Sequence, residues 1–343
     1  MKMHVAKVFS LGLMASTALL QAQSYNITDL GALSGDKTSV AYGLNSAGQA
    51  AGTSSNPTGG IATLFSGGQA IGLGTLAPLD VSFAEAVNAL GQVAGYDLLD
   101  STSFSVAHAF LYSNGRMMDI HSSSLFPSGT LAVAINRSGA VVGYGWISTA
   151  AFHPFLYTGG RMVDLGTLGG IQGSASAIND SGTIVGALTT ASGIGHAFVY
   201  SNGKMTDLGV PPGANSSGAS AINNAGQIAG YIGVNNASHA ALYNQGVWTD
   251  LGAAAGAIGT QATGINASGQ IVGTAFIKGD YTHPTKHIGF IVHNGAPVDL
   301  DTLIPANSGF TISGATGIND SGEILCNATT GSHLTHAILL TPR

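Results

Sequence analysis

Histidine and aspartate recur in this sequence at one fixed separation. Such pairs could act as general acid and base, or supply nitrogen and oxygen ligands to a metal ion. A hydrogen bond that ties two segments together is the alternative, and it is favoured because catalysis needs one site rather than a copy in every repeat. The pairs are His108 with Asp119, His153 with Asp164, His196 with Asp207, and His239 with Asp250.

One departure from the pattern supports this structural interpretation. Near the start of the chain, Ile61 and Gly72 replace both partners of the pair together. This is expected of a hydrogen-bonded pair, because a lone buried partner costs more free energy than the loss of both. The same spacing rule leaves His336 near the end of the chain and Asp29 near its beginning. We predict that their side chains lie within hydrogen-bonding distance of each other.

A second pattern sets the repeat length. Alanine, any residue, alanine or glycine, an aliphatic residue, asparagine, two residues and glycine return in that order, roughly every 43 to 53 residues, which is near the length of one four-stranded propeller blade. The asparagines are Asn45, Asn88, Asn136, Asn179, Asn223, Asn266 and Asn319.

Each repeat predicts four antiparallel strands, as the segment 173–209 illustrates: SASAIND, GTIVGAL, HAFVYS and GKMTDLG. Short turns with asparagine and glycine join the first strand to the second and the third to the fourth. The first strand carries small residues on one face and bulky aliphatic residues on the other. Because sheets stacked around an axis crowd most at their innermost strand, we place this strand at the hub.

The two ends of the chain complement each other. Residues 25–31 (YNITDLG) form a fourth strand without its partners, whereas the last repeat ends with its third strand, which includes residues 336–340 (HAILL). Joining them would remove two exposed sheet edges. The sequence therefore predicts an all-β fold: a seven-bladed β-propeller of four-stranded antiparallel blades, a single domain of residues 25–343, closed by the strand 25–31 joining the last blade.

The repeat units resemble a known family. GHAFVYSNGKMTDLG, SASAINDSGTIVG and the segment DLGTLGG at 164–170 are similar to the repeats of bacterial extracellular HAF-repeat proteins. The resemblance covers nearly all of the chain after residue 24. It implies a secreted repeat protein, and it supplies no catalytic residue.

Composition and the first residues indicate location and partners. Lys2 and Lys7 precede an apolar run from Val8 to Leu20, so residues 1–24 are predicted to be a signal peptide, with secretion to the extracellular space or periplasm. A net charge of −6 and the absence of a basic cluster argue against nucleic acid. We expect no membrane insertion, no cofactor, no bound metal and a monomer.

Candidate binding residues follow from where the repeats vary. The repeats differ in length in two connections: the one between the second and third strands, and the one between the fourth strand and the first strand of the next repeat. We name the side of the predicted ring that carries these connections the variable face, and we expect binding there. The segments 144–152 and 274–288 are read as long loops on it. Glu85, the charged residue of the inner strands, is a candidate for the central channel. The ligand-binding candidates are Trp146, Lys278, Asp280, Tyr281, His283 and Lys286.

Two functions remain open. The first is a non-enzymatic binding or adhesion module that presents the variable face to a glycan, a surface polymer or a protein. The second is a polysaccharide hydrolase or lyase in the central funnel, which would need two convergent carboxylates or a base with its partner. Its off-repeat candidates are Glu85, Asp97, Asp100 and Asp280. No nucleophile elbow, phosphate loop or zinc-protease motif occurs in the sequence, so we predict binding without assigning a catalytic residue.

Overall fold

The fold is that of a computed structural model. It describes residues 24–57, 59–77, 81–99, 106–280 and 283–343, with the side chains of 278–280 and 283–285 left aside. All but the last residue of the predicted signal peptide lies outside the described residues, as do Asp100 and Tyr281.

Almost all regular structure in the described residues is β-strand, in sets of four. The strands β1 to β9 are Tyr25–Asp29, Thr38–Leu44, Ala50–Asn56, Gly59–Ser66, Gln69–Gly74, Val81–Val87, Val93–Leu98, Ala107–Ser113 and Arg116–Asp119. The strands β10 to β17 are Thr130–Ile135, Val141–Trp146, Phe152–Thr158, Arg161–Asp164, Gly169–Ile178, Ile184–Thr190, Gly195–Ser201 and Lys204–Gly209. The strands β18 to β28 are Ser216–Ile222, Ile228–Val234, Ala237–Asn244, Val247–Asp250, Ala257–Ile265, Ile271–Asp280, His283–His293, Ala296–Asp299, Phe310–Ile318, Ile324–Thr330 and Thr335–Pro342. A short 3-10 helix spans Leu300–Leu303, and no helix in the described part of the chain has the length and hydrophobicity that crossing a bilayer requires.

Hydrogen bonding joins these strands into six sheets within the described residues, rather than seven separate ones. Five sheets have four strands each, and the sixth has eight. The eight-stranded sheet holds two successive runs of four antiparallel strands, β10 to β13 and β14 to β17. A single parallel bridge between Phe152 and Gln172 links the runs, because β14 begins early and passes beside the start of β12.

The first described strand belongs to the last sheet. Strand β1 pairs antiparallel with β28 over its whole length, from Tyr25 opposite Pro342 to Asp29 opposite Ile338. The ring of Tyr25 is buried in the core of that sheet. The two ends of the described chain are therefore held in one β-ladder.

The first strand of each repeat bends at a β-bulge. In β14, for example, the register shifts between Ala175 and Ala177. The alanine before the bulge is buried in every repeat, and the phenylalanine of the HAF motif packs beside it where that motif is present. Phe198, for example, packs against Ala175, and a Cβ at Gly186 would come within 2.9 Å of the Phe198 ring. Small residues in the first two strands thus make room for one large ring from the third strand.

The repeated asparagines form a closed cycle of hydrogen bonds. Each side-chain amide donates to the backbone carbonyl of the asparagine in the next repeat, and the amide of Asn319 donates to the carbonyl of Asn45. Each Oδ1 also accepts backbone N–H groups of its own turn, as at Asn45, where the N–H groups of Ala47 and Gln49 donate. The cycle has one member from each of the seven sequence repeats and ties the inner strands together.

Candidate functional site

The repeated His and Asp side chains lie in contact, pair by pair. The distances from His Nδ1 to Asp Oδ2 are 2.8 Å for His108–Asp119, 3.0 Å for His153–Asp164, 2.8 Å for His196–Asp207, 2.9 Å for His239–Asp250 and 2.8 Å for His336–Asp29. Each pair links the third and fourth strands of one repeat. The pairs sit in different sets of strands and do not converge on one site, which fits a structural bond rather than shared chemistry.

The aspartate of each pair has a second partner that sequence reasoning missed. The other carboxylate oxygen accepts the backbone N–H two residues later, as from Gly209 to Asp207 at 2.7 Å. The backbone there turns through a positive φ of 63° at Gly209, which only glycine adopts readily. The Asp-Leu-Gly triplet is therefore a turn motif, with the aspartate fixing both the turn and the histidine.

One pair has an additional histidine beside it. His121 replaces the glycine of this turn, and its ring stacks on His108 with 4.0 Å between centroids. Burial lowers the pKa of His121, the positive charge of His108 lowers it further, and Asp119 opposes both effects. Burial raises the pKa of Asp119, but hydrogen bonds from His108 and the His121 backbone outweigh that effect and hold it below its usual value. A hollow of about 490 Å³ beside them is lined by Asp119, His121 and Arg161.

At the side of the ring where the asparagine turns lie, the hub encloses a hollow of about 360 Å³. Its wall consists of the buried asparagines and the aliphatic residues before them, such as Ile135 and Ile178. Arg137 and Asp180 stand at the rim, where the Asp180 carboxylate accepts the Arg137 backbone N–H at 3.0 Å. The asparagine side chains of this wall are already hydrogen-bonded to the protein, so they serve the fold first.

Aromatic side chains gather on the variable face. We name Phe83, Tyr96, Tyr144, Trp146 and Phe152 the aromatic cluster. The rings of Phe83 and Tyr96 stack at 5.0 Å, Tyr144 meets the edge of Trp146 at 5.3 Å, and Tyr144 lies 5.5 Å from Phe152. Leu98, Ala107 and Leu131 support four of the five rings from below, and all five are half-buried. The rings form two contact groups, Phe83 with Tyr96 and Tyr144 with Trp146 and Phe152, and both groups remain partly open to solvent.

The local sequence explains how these rings meet. Tyr96 and Tyr144 each follow a glycine that recurs in the second strands of the repeats, at Gly95 and Gly143. The two tyrosines therefore occupy the same position in successive repeats. Phe83 is directly opposite Tyr96 in the β6–β7 ladder. We expected Trp146 in a loop, but it is the last residue of β11. It pairs with Phe152 at the start of β12. Of these five rings, sequence reasoning had singled out Trp146 alone.

Glu85 lies next to this cluster, in the inner strand β6. Burial raises the pKa of Glu85 from 4.5 to about 7, and no charge or hydrogen bond of a described residue offsets that effect. Burial raises the pKa of Tyr42, Tyr96 and Tyr144, and the Glu85 carboxylate raises each of them further. Three tyrosines from three sets of strands therefore lie within the electrostatic reach of one half-buried carboxylate.

The position of Glu85 in the repeat explains its burial. It stands three residues before the asparagine, as does Tyr42 in the preceding repeat. Where a threonine takes this position, its hydroxyl donates to a carbonyl of the neighbouring inner strand, as from Thr316 to Ala41 at 3.0 Å. Threonine side chains at this position thus bridge adjacent inner strands, and Glu85 occupies the same position in its own repeat.

The segment 274–288 is a β-hairpin, not the loop we expected. Strands β23 and β24 extend it, with Asp280 opposite His283. The side chains of Lys278, Asp280 and His283 are not among those described, and Tyr281 lies outside the described residues. Lys286 is exposed, and its positive charge opposes the burial that raises the pKa of Asp301. Lys286, the one of these candidates whose side chain is described, is in β24, in a different sheet from Trp146 in β11.

The other carboxylates named as candidates for an enzyme do not form a described pair with Glu85. Asp97 is fully buried within β7, where its Oδ2 accepts the backbone N–H of Leu76 at 2.6 Å. It is a core residue rather than a funnel residue. Asp100 and the Asp280 side chain lie outside what the structure describes. Within the described ranges, no group of three His, Cys, Asp or Glu side chains is arranged to hold a metal ion.

No protein-family model matches the chain, and no curated protein sequence matches it. Solved structures do. The β-propeller domain of the trilobed protease from Pyrococcus furiosus is similar with a TM-score of 0.54 at 10% identity, over 89% of this chain and 94% of that one. TolB from Acinetobacter baumannii is similar with a TM-score of 0.48 at 11% identity, over 86% of this chain and 63% of that one. This chain thus spans less than two thirds of TolB. The similarity to the trilobed protease domain shows the fold alone, and that fold is a β-propeller.

Proposed function

We propose that this chain is a secreted, non-enzymatic binding protein that recognises a glycan through the aromatic cluster on its variable face. The observation that carries the proposal is the partly open surface of Phe83, Tyr96, Tyr144, Trp146 and Phe152. Flat aromatic rings with exposed faces provide apolar contact area at low entropic cost, and they stack on the C–H faces of sugar rings.

We also propose that the propeller has seven blades and is closed by β1. The cycle of seven asparagines supports this number, since each repeat supplies one member and the last bonds back to the first. The ladder between β1 and β28 supports the closure. In this proposal the eight-stranded sheet is two blades that share one bridge.

Secretion, the HAF-repeat relationship and a monomeric state belong to the same proposal. A signal peptide at residues 1–24 would deliver the chain to the periplasm or beyond. Exposure to extracellular polymers would then give a glycan-binding face its ligand. Detection of the chain in the culture medium or the periplasmic fraction, with residues 1–24 removed, tests the location independently of binding.

The binding test replaces Trp146 with alanine. We expect the purified protein to bind oligosaccharides on a glycan array, and Trp146→Ala to weaken binding at least about fivefold, since stacking on one ring contributes on the order of 1 kcal/mol or more. Trp248→Phe is the matched control, because Trp248 packs against Tyr243 in a fourth strand and lies outside the cluster. Equal binding by all three proteins would contradict the proposal.

A polysaccharide hydrolase or lyase remains the second candidate, because Glu85 has the pKa of about 7 that suits a general acid. It would need a second catalytic group, and Asp97 is committed to the backbone of Leu76. Release of reducing ends or unsaturated products from a bound polysaccharide, lost in Glu85→Gln, would favour this candidate over simple binding.

A further inference from the structure

Glu85 and the aromatic cluster share two residues. Tyr96 stacks on Phe83, and Tyr144 contacts Trp146 and Phe152. Glu85 stands at the bulge of β6, two residues after Phe83 and beside Gly95, the chain neighbour of Tyr96, and its charge raises the pKa of both tyrosines. The surface proposed for sugar stacking and the half-buried carboxylate are therefore parts of one site.

This carboxylate lacks a positive partner in the described structure. Burial alone accounts for its raised pKa, whereas a basic neighbour would lower it. Tyr42 is in the neighbouring inner strand, where a Cβ at the adjacent Gly43 would come within 2.7 Å of the Glu85 carbonyl oxygen, and the Glu85 charge raises the pKa of Tyr42, Tyr96 and Tyr144. An unpaired carboxylate among aromatic rings attracts an organic cation twice, through its own charge and through the electron-rich faces of the rings. A neutral sugar would gain only a hydrogen bond from a hydroxyl group to the ionised Glu85, without the attraction between opposite charges.

We infer that the site selects a glycan whose sugars carry a free amino group, with the sugar rings on the aromatic cluster and the ammonium group at Glu85 between Tyr42, Tyr96 and Tyr144. This inference rests on the proposed glycan-binding function and adds the class of sugar. A bound ammonium group would supply the positive charge that the described residues do not place there. The net charge of −6 for the whole chain also favours the approach of a cationic polymer.

The test compares glucosamine oligomers with N-acetylglucosamine oligomers of equal length, by calorimetric titration at pH 7.5. For the unaltered protein we expect affinity for the amino form to exceed that for the acetylated form about tenfold, as a desolvated cation–π and carboxylate contact would give. Glu85→Gln should reduce this ratio to about one, with affinity for the acetylated oligomer kept within about twofold, because the stacking surface is intact.

The matched control is Glu323→Gln. It also removes one negative charge, but Glu323 lies beside the asparagine cycle, bonded to Asn319 at 2.6 Å. Four other repeats carry glutamine at this position, at Gln49, Gln92, Gln227 and Gln270, so the fold should accept the change. We expect the ratio to stay as in the unaltered protein. An equal fall in both variants would mean that only net charge matters and would overturn the inference.

Tyr42→Ala is a second variant, chosen because Tyr42 is exposed and its removal leaves no core cavity. It should lower the preference for the amino oligomer even if Glu85→Gln folds poorly. If both variants keep the tenfold ratio, or if the unaltered protein prefers the acetylated oligomer, the inference is wrong while glycan binding stands. If neither oligomer binds and the array shows no signal, the proposed function itself fails.

Discussion

The aspartates of the Asp-Leu-Gly turns hold two partners at once. Asp207 accepts from the Gly209 backbone with one oxygen and bonds His196 with the other. Because the same carboxylate forms the turn and fixes the histidine, an aspartate keeps its turn role where the histidine is absent. Ile288 takes the histidine position of the sixth repeat, and Asp299 there still accepts the Asp301 N–H at 2.9 Å. The first repeat has Ile61 and Gly72 and so lacks both partners, and the fixed spacing in the other repeats is what allowed the pairing to be predicted from the sequence.

Glu85 gives a prediction at this scale, because its pKa differs between the folded and unfolded chain. In the folded protein the pKa is about 7, whereas the ordinary value is 4.5. The folded state therefore binds more protons between these values, and stability falls as pH rises from 4.5 through 7. We expect Glu85→Gln to remove this loss and to raise the free energy of unfolding at pH 8 by at most about 3 kcal/mol.

Urea unfolding at pH 4 and pH 8 checks this expectation. The two proteins should differ little at pH 4 and clearly at pH 8, with Glu323→Gln showing no such gap. Tyr42, Tyr96 and Tyr144 face the carboxylate, and their own raised pKa values keep them neutral through this range. A difference of equal size at both pH values would contradict the assigned burial of Glu85.

The surroundings of Glu85 could not be predicted in this way. In the chain, Tyr42, Tyr96 and Tyr144 are 43, 11 and 59 positions from Glu85. A pattern in the neighbouring residues does not predict contacts over such separations. Tyr96 and Tyr144 do share a repeat position after the glycine of a second strand, and that shared position was the available signal. What the sequence alone does not contain is the curvature that brings adjacent repeats together at the hub.

In six of the seven repeats the second strand has a glycine opposite the alanine before the bulge, and the seventh repeat has Cys326 there. An added Cβ at Gly186 would lie 2.0 Å from the carbonyl oxygen of Ser174 in the paired strand, and at Gly143 it would lie 1.9 Å from that of Leu131. Neither backbone atom can move without breaking the ladder at the bulge. These glycines are therefore required for close approach rather than for flexibility.

We expect Gly186→Ala to destabilise the protein by at least about 2 kcal/mol, since overpacking against backbone is costly. Gly195→Ala is the control, because Gly195 is also in a strand and an added Cβ there meets no atom within 4 Å. Thermal unfolding of both variants checks the difference. If the two alanine variants unfold at the same temperature, the close contact at Gly186 does not constrain the fold.

Strand boundaries were the part of each element that the sequence predicted least well. Segment 274–288 departs from the repeat, so its length alone suggested a loop. The backbone instead continues β23 and β24 outward until Asp280 faces His283. Trp146 was assigned to a loop for the same reason, whereas it ends β11. A neighbouring strand satisfies the backbone N–H and C=O groups of an extended segment whether or not its side chains follow the repeat. Strand pairing depends on tertiary structure, so the repeat pattern does not fix where a strand ends.

Two features of the described structure join residues from opposite ends of the chain: the asparagine cycle and the ladder between β1 and β28. The cycle joins the inner strands on one side of the hub, where each asparagine is at most 6% exposed. The ladder joins the two ends of the described chain at the outer edge of the last sheet. Because the asparagine bonds run only between neighbouring repeats, the ladder is what covers β28 and gives the last sheet its fourth strand.

Removal of β1 should therefore weaken the last sheet first. A chain that begins at Leu30 loses Tyr25, which is buried beside Cys326, and leaves the edge of β28 unpaired. We expect the free energy of unfolding to fall by at least about 3 kcal/mol, the usual cost of removing one large buried ring. Cys326 is the single cysteine of the chain and is fully buried, so its reaction with a thiol reagent reports on this sheet alone.

In the chain that retains β1, Cys326 should react slowly, because the thiol is inaccessible and burial raises its pKa. In the shortened chain we expect the reaction to accelerate at least about tenfold, since opening of the sheet exposes the thiol more often. A synthetic peptide of residues 24–31 should restore protection when added in excess, because it can re-form the ladder with β28. Equal labelling rates with and without β1 would mean that the ring is held by the asparagine cycle and sheet packing without the terminal strand.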